Sequence, residues 1–113
     1  MAKTEITGYQ YEFRNLSSEN IAFVYLMHKN KLISMSAFID NDEQELPPPR
    51  EHLNGVVHVS YRYKWLSDII GMLRNEEPVY FIWNRADQNA VITTEKEPIG
   101  EEEQKSFFKQ LFG

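Results

Sequence analysis

Three strand-like runs follow one another within the first 39 residues, with only short turns between them, and this arrangement limits the fold more than any other feature of the chain. Residues 6–15 alternate aromatic with polar side chains, which is typical of a strand with one buried face. Residues 21–28 are apolar at both alternating sets of positions, which predicts a central strand or one covered on both faces. Because the Lys-Asn pair at 29–30 fits a two-residue turn before the third run, 31–39, we expect an antiparallel meander.

The third run has two alternating faces that differ in polarity. One set is Leu32, Ser34, Ser36 and Phe38, and the other is Ile33, Met35, Ala37 and Ile39. Because the second set is apolar throughout, we predict that it faces the core.

A loop and a strand–helix unit come next. Residues 40–55 are acidic and then contain three consecutive prolines, which favour an extended conformation, so we interpret them as a crossover to a new edge or face of the sheet. Residues 56–61 are typical of a strand, and the apolar spacing in 62–75 predicts a helix. Its apolar stripe consists of Trp65, Leu66, Ile69, Ile70 and Leu73. Gly71 costs such a helix about 1 kcal/mol relative to Ala, so we expect it to allow a close approach to the sheet.

Two further strands and a terminal helix complete the chain. The strands are predicted at 79–84 and 90–95, and the helix within 100–113 begins with three Glu, which suit the positive end of a helix dipole. The apolar face of this helix consists of Phe107, Phe108, Leu111 and Phe112. Because an exposed stripe of this kind promotes aggregation, we expect this chain's sheet or another copy to cover it.

These elements predict one α+β domain over residues 1–113. The expected order is βββ–loop–βα–ββα, with a mainly antiparallel sheet of about six strands and two helices packed on one of its faces. A length of 113 residues and an apolar fraction of 42% are enough for a core that needs no covalent cross-links.

Composition excludes several classes of function. The chain has no cysteine, so disulfides, thiolate metal sites and cysteine nucleophiles are excluded. The net charge of −5 makes nucleic acid an unlikely partner, because phosphate-backbone binders carry basic patches. No apolar run has the length of a signal peptide or a membrane span, so we expect a cytoplasmic protein without a membrane partner.

Motifs for catalysis and for metal or cofactor binding are not found in the sequence. The three histidines lack the spacing that places two imidazoles on one metal from a helix, and no phosphate-binding glycine loop or nucleophile elbow occurs. We therefore expect neither metal nor cofactor, and we favour a non-enzymatic protein.

One stretch combines aromatic and basic side chains at a junction between a strand and a helix. It contains His58, Tyr61, Arg62, Tyr63, Lys64 and Trp65. An anionic small molecule could bind here, near the free backbone N–H groups of a helix N-terminus. The alternative, which we favour, is that the aromatic residues pack and the cations remain solvated.

The segment 79–92 raises a similar choice between binding and packing. Tyr80, Trp83 and Arg85 could form a stacking surface for single-stranded nucleic acid. Tyr80 and Trp83 point to opposite faces of a strand, however, so we interpret the segment as a core hairpin.

Three functional hypotheses remain. The first is a small non-catalytic interaction or regulatory protein, homo-oligomeric and in the first instance dimeric, whose contacts include the four apolar residues of the terminal helix. The second is a small-ligand or enzymatic domain with a pocket near residues 58–65. The third is a single-strand nucleic-acid binder, which the charge disfavours.

Overall fold

The computed structural model describes residues 2–16, 19–41 and 43–95, except for a few side chains at strand ends. The helix predicted within 100–113, and with it the residues Phe107, Phe108, Leu111 and Phe112, lies outside the described residues.

Eight strands and one α-helix make up this part of the chain. The strands are β1 (Ala2–Ile6), β2 (Gly8–Leu16), β3 (Glu19–His28), β4 (Lys31–Ile39), β5 (Arg50–Glu51), β6 (Val57–Arg62), β7 (Val79–Asn84) and β8 (Asn89–Thr94). A 3₁₀ turn (Tyr63–Trp65) leads directly into α1 (Leu66–Asn75).

The strands form two sheets. A five-stranded sheet has the order β2-β3-β4-β6-β5, and a three-stranded sheet has the order β1-β7-β8. The predicted meander is confirmed as β2-β3-β4, and so is the hairpin β7-β8. Every pairing is antiparallel except that of β4 with β6, which the crossover through residues 40–49 makes parallel.

The α+β class with mostly antiparallel sheets is therefore confirmed, whereas the prediction of a single six-stranded sheet with two helices is not matched. The described residues contain two sheets and one helix. Strand β1 was not predicted, because its polar residues show little apolar periodicity; it is a strand because it pairs with β7.

The chain passes from one sheet to the other at Thr7, between β1 and β2. The Thr7 backbone N–H donates to the Met27 carbonyl at 2.8 Å, and its hydroxyl accepts from the Lys29 N–H at 2.7 Å. The imidazole Nδ1 of His28 lies 2.8 Å from the Glu5 carbonyl oxygen. These bonds fix the corner at which the β3–β4 turn meets the three-stranded sheet.

A single core cluster lies between the sheets. From the five-stranded sheet it receives Ala22, Val24, Leu26, Phe38, Val57 and Val59, and from the rest of the chain Leu66, Phe81 and Trp83. The burial of Val79, Phe81 and Trp83 confirms that the hairpin is part of the core. This alternation also shows why Tyr80 and Trp83 cannot form one surface.

The prediction for β4 is wrong about which face is buried. Ser34, Ser36 and Phe38 are almost fully buried, at 0%, 1% and 0% exposure, whereas Met35, Ala37 and Ile39 of the apolar set point the other way. The reason lies in the register, because the three buried residues pair with Leu26, Val24 and Ala22 of β3. Directly opposed residues share a face of the sheet. The helix and the second sheet therefore bury the same face of β3, β4 and β6.

Two predictions about the helix are also wrong. Trp65 lies in the 3₁₀ turn and is 50% exposed, so the apolar stripe begins at Leu66 and continues through Ile69, Ile70 and Leu73. Gly71 makes no close approach to the sheet, since a Cβ built on it would meet nothing within 4 Å.

The two buried serines of β4 provide a stability test. The Ser34 hydroxyl donates to the Val57 carbonyl at 2.8 Å, whereas the Ser36 hydroxyl has no hydrogen-bond partner among the described residues. Ser34→Ala should lower the free energy of unfolding by about 1 kcal/mol, and Ser36→Ala should be neutral or stabilising, because it removes an unsatisfied polar group. Urea unfolding midpoints measure both changes. Equal destabilisation by the two substitutions would contradict the assigned bonding.

Candidate protein-interaction face

The five-stranded sheet has a second face, opposite the core, which we call the outer face. Its side chains form three cross-strand rows set by the strand register: Arg14–Ile21–Ile39–Arg62, Glu12–Phe23–Ala37–Ser60 and Gln10–Tyr25–Met35–His58. In each row the two middle residues, from β3 and β4, are apolar or aromatic, and the two outer residues, from β2 and β6, are polar.

The centre of the outer face is apolar and incompletely covered. Phe23, Tyr25, Met35 and Ala37 are all neither buried nor fully exposed, whereas the inner-face residues of β3 and β4 are buried. The rings of Phe23 and Tyr25 stack side by side, with centroids 6.3 Å apart and planes inclined by 18°. Packing of this kind holds the two rings in a fixed orientation and presents a flat apolar surface.

The β2 edge of the outer face carries a bonded charge pair. The Arg14 guanidinium donates to the Glu12 carboxylate and lies 4.9 Å from the centroid of the Phe23 ring. The Tyr25 hydroxyl donates to the same carboxylate at 3.5 Å. The Glu12 carboxylate and the Arg14 guanidinium are thus both held beside the aromatic rings of β3.

The β6 edge is polar as well. The Arg62 guanidinium donates to the carbonyls of Asn41, at 2.9 Å, and Gln44, so it anchors the crossover loop. His58 packs on His52, with ring centroids 3.7 Å apart. The pKa of His58 is lowered from its ordinary value, first by burial and then by the neighbouring charges of His52 and Arg50.

The six residues proposed to bind a ligand point in different directions. Tyr61 faces the core and stacks on Phe38 at 5.3 Å, and burial raises the pKa of its hydroxyl to about 12. His58 and Arg62 lie on the outer face. Tyr63 and Lys64 line a groove beside α1, and Trp65 is half exposed in the 3₁₀ turn. The structure brings Tyr63 and Lys64 together but does not gather all six around one cavity.

A separate contact ties the short strand β5 to the hairpin. The Glu51 carboxylate accepts from Trp83 Nε1 at 2.7 Å and from Arg85 Nη2 at 2.8 Å. The pKa of the Glu51 carboxyl is lowered mainly by the hydrogen bonds from Arg85 and then by the hydrogen bond from Trp83. Trp83 and Arg85, considered above for a binding surface, thus hold the hairpin in place.

The described residues contain no group of three or more metal-ligating side chains. Within the same part of the chain, no helix is long and apolar enough to cross a membrane.

Residues 21–28 were predicted to form a strand that is apolar on both faces, which indicates apolar surface on the second face of the sheet. The residues of the outer face were not identified from the sequence, because Met35 and Ala37 were assigned to the core. Scans against family models and searches of curated proteins and of solved structures give no match to this chain.

His58 generates a prediction about pH. A histidine whose pKa is lowered in the folded state favours the neutral form there, so the unfolded chain takes up the proton more readily. The free energy of unfolding should therefore fall as the pH drops below the ordinary His value of 6.5, until the lowered pKa of the folded state is reached.

Thermal unfolding between pH 8 and pH 5 measures this dependence. His58→Gln should reduce the loss of stability over that interval. The stability of the variant relative to the wild type should be lowest at pH 8, where the imidazole of the wild type is neutral in both the folded and the unfolded state. Parallel pH profiles for the two proteins would contradict the assignment.

Proposed function

We propose that the protein is a small non-catalytic interaction protein that associates with a second copy of itself through the outer face. The observation that carries this proposal is the layout of that face, in which two apolar strands, β3 and β4, lie between two strands with polar side chains, β2 and β6. Protein interfaces have the same organisation, an apolar aromatic-rich centre within a polar rim.

The size of the outer face agrees with a dimer. Three strands of about nine residues and one of six, spaced about 4.8 Å apart with a rise of about 3.4 Å per residue, cover roughly 540 Å². Two such faces would bury about 1,100 Å², a little above the roughly 1,000 Å² that a specific interface needs. Two sheets packed face to face, about 10 Å apart, would allow the side chains of both copies to interdigitate.

The charges of the rim also favour a second copy. Arg14 and Glu12 form a pair within β2, and Arg62 is bonded to loop carbonyls, so the rim presents no strong field of one sign. A strongly acidic or basic partner would find little electrostatic complementarity here, whereas a surface that contacts a copy of itself must avoid an excess of either charge.

The nucleic-acid hypothesis receives some support from the stacked rings of Phe23 and Tyr25, since bases stack on exposed sheet aromatics. Single-strand binders combine such rings with a positively charged groove, and this chain has a net charge of −5. The small-ligand hypothesis receives less support, because its six residues are distributed over several surfaces. Both hypotheses become outcomes of the test.

Met35→Lys is the substitution that tests the dimer. It places an ammonium group at the centre of the apolar surface, and an unpaired charge there should raise the dissociation constant of the dimer by at least about 100-fold. Met35→Leu keeps the surface apolar and is the matched control. Val91→Lys places the same charge on an exposed position of the other sheet, where Val91 is 45% exposed. Sedimentation velocity and native mass spectrometry give the oligomeric state.

Dissociation by Met35→Lys alone, with both controls still dimeric, is the expected result. A wild-type protein that is monomeric at high micromolar concentration would overturn the proposal. Titration with a single-stranded oligothymidine then decides the alternative, since binding that weakens steeply with salt and is lost in Phe23→Ala, which removes one of the two stacked rings, would assign the face to nucleic acid.

A further inference from the structure

A groove runs between β2, at the edge of the five-stranded sheet, and α1. We call it the β2–α1 groove. Its volume is about 790 Å³, and its walls include Tyr11, Phe13, Tyr63, Ile70, Gly71 and Arg74. It lies on the core side of the sheet and is therefore separate from the outer face.

The aromatic wall of the groove is a part of the core side that nothing in the described chain covers. Tyr11 pairs with Val24 and Phe13 with Ala22, both fully buried residues of β3. Tyr11 and Phe13 themselves are 51% and 59% exposed, with their rings edge to face at 5.9 Å. Helix α1 and the second sheet thus close over β3 and leave the inner side of β2 open.

The backbone of β2 is also available. The strand has nine residues and ends the sheet order, so among the described residues no strand pairs with its outer edge. Long unpaired edges with apolar side chains recruit other segments, and proteins cover them or interrupt them with charges. An edge strand beside a helix is a common setting for binding an apolar peptide segment.

The described chain ends beside this groove. Thr94 and Glu95 border the flank of α1 formed by Gly71, Met72, Asn75 and Glu76. Gly71 and Asn75 also line the β2–α1 groove, on the other flank of the same helix. The chain therefore leaves the described fold within one helix diameter, about 10–12 Å, of the α1 side of the groove.

The segment that follows Glu95 has the length and composition to fill the groove. Ten residues, 96–105, span up to about 33 Å when extended, which exceeds the width of the helix. The next residues include Phe107, Phe108, Leu111 and Phe112, which match the aromatic wall. The acidic run at 101–103 can approach the two cations of the groove, Lys64 and Arg74.

We propose that the β2–α1 groove binds residues 106–112 of the same chain. The bound segment covers the open edge of β2, and because it is tethered it competes at a high effective concentration with any apolar peptide that could enter the groove. The site is thus an intramolecular docking site for an apolar segment of this chain.

Paramagnetic labelling tests this proposal on the full-length chain. The chain has no cysteine, so Ser106→Cys provides a unique site for a nitroxide label. Amide resonances of Tyr11, Phe13 and Gly71 should be broadened in the ¹⁵N-labelled protein, and those of Arg50 and Glu51 in β5, four strand spacings or about 19 Å from β2, should be affected least. Asp87→Cys, labelled in the same way in the β7–β8 turn, is the control and should leave the groove resonances sharp.

Mixed samples separate contacts within a chain from contacts between chains. When spin-labelled chains without ¹⁵N are mixed with ¹⁵N chains without the label, the groove resonances should stay sharp. Broadening in the mixture would assign the docked segment to a second copy and overturn the intramolecular proposal. Broadening centred on the outer face, or none that is localised, would also overturn it.

Gly71 allows the groove to be blocked without harm to the fold. A Cβ at this position meets nothing within 4 Å, so Gly71→Leu should fit, fill the groove and abolish the broadening from the label at residue 106. Gly71→Ala gains a similar helix preference with little added volume and should retain the broadening. Persistent broadening in Gly71→Leu would contradict the location of the site.

The two proposals fail independently. The Met35→Lys experiment reports on the outer face alone, and the label at residue 106 reports on the opposite side of the sheet. A monomeric protein with a docked C-terminal segment would therefore reject the dimer and keep the groove, and a dimer with an empty groove would do the reverse.

Discussion

The pairing of β3 with its two neighbours is the constraint on which the rest of the structure depends. Its register places Ala22, Val24 and Leu26 on the inner face together with Ser34, Ser36 and Phe38 of β4. Because side chains alternate with a period of two residues, a shift of one residue would send every one of them to the other face. The core, the outer face and the open side of β2 all follow from this one alignment.

The two surfaces proposed for binding arise from one imbalance. The five-stranded sheet has apolar side chains on both faces, but α1 and the three-stranded sheet cover only part of one of them. The inner side of β2 remains open at Tyr11 and Phe13, and the outer face remains open at Phe23 and Met35. Apolar surface of this kind is stabilised when another segment or another copy removes it from water.

The local contacts around these surfaces limit what can move. Arg62 secures the crossover loop, Glu51 links β5 to Trp83 and Arg85, and Thr7 fixes the corner between the sheets. The faces are therefore preorganised by side-chain hydrogen bonds at their borders, and association requires little rearrangement of the backbone. Preorganisation of this kind reduces the entropy lost on binding.

The sequence by itself determined the local structure, and the tertiary structure decided which surfaces are covered. Period-two runs and short turns were sufficient to predict the meander and the β7–β8 hairpin, because strand formation follows local alternation. They could not predict β1, which is a strand only through its pairing with β7, nor the buried face of β4. The face of β4 that carries Ser34 and Ser36 is buried because β3 and β6 place their apolar residues on the same side of the sheet. The sequence of a single strand does not show on which side its neighbours place their apolar residues. For the same reason, residues close in sequence such as Tyr61, Arg62 and Trp65 formed no common site, whereas Tyr25 and Met35 lie directly opposite each other on neighbouring strands.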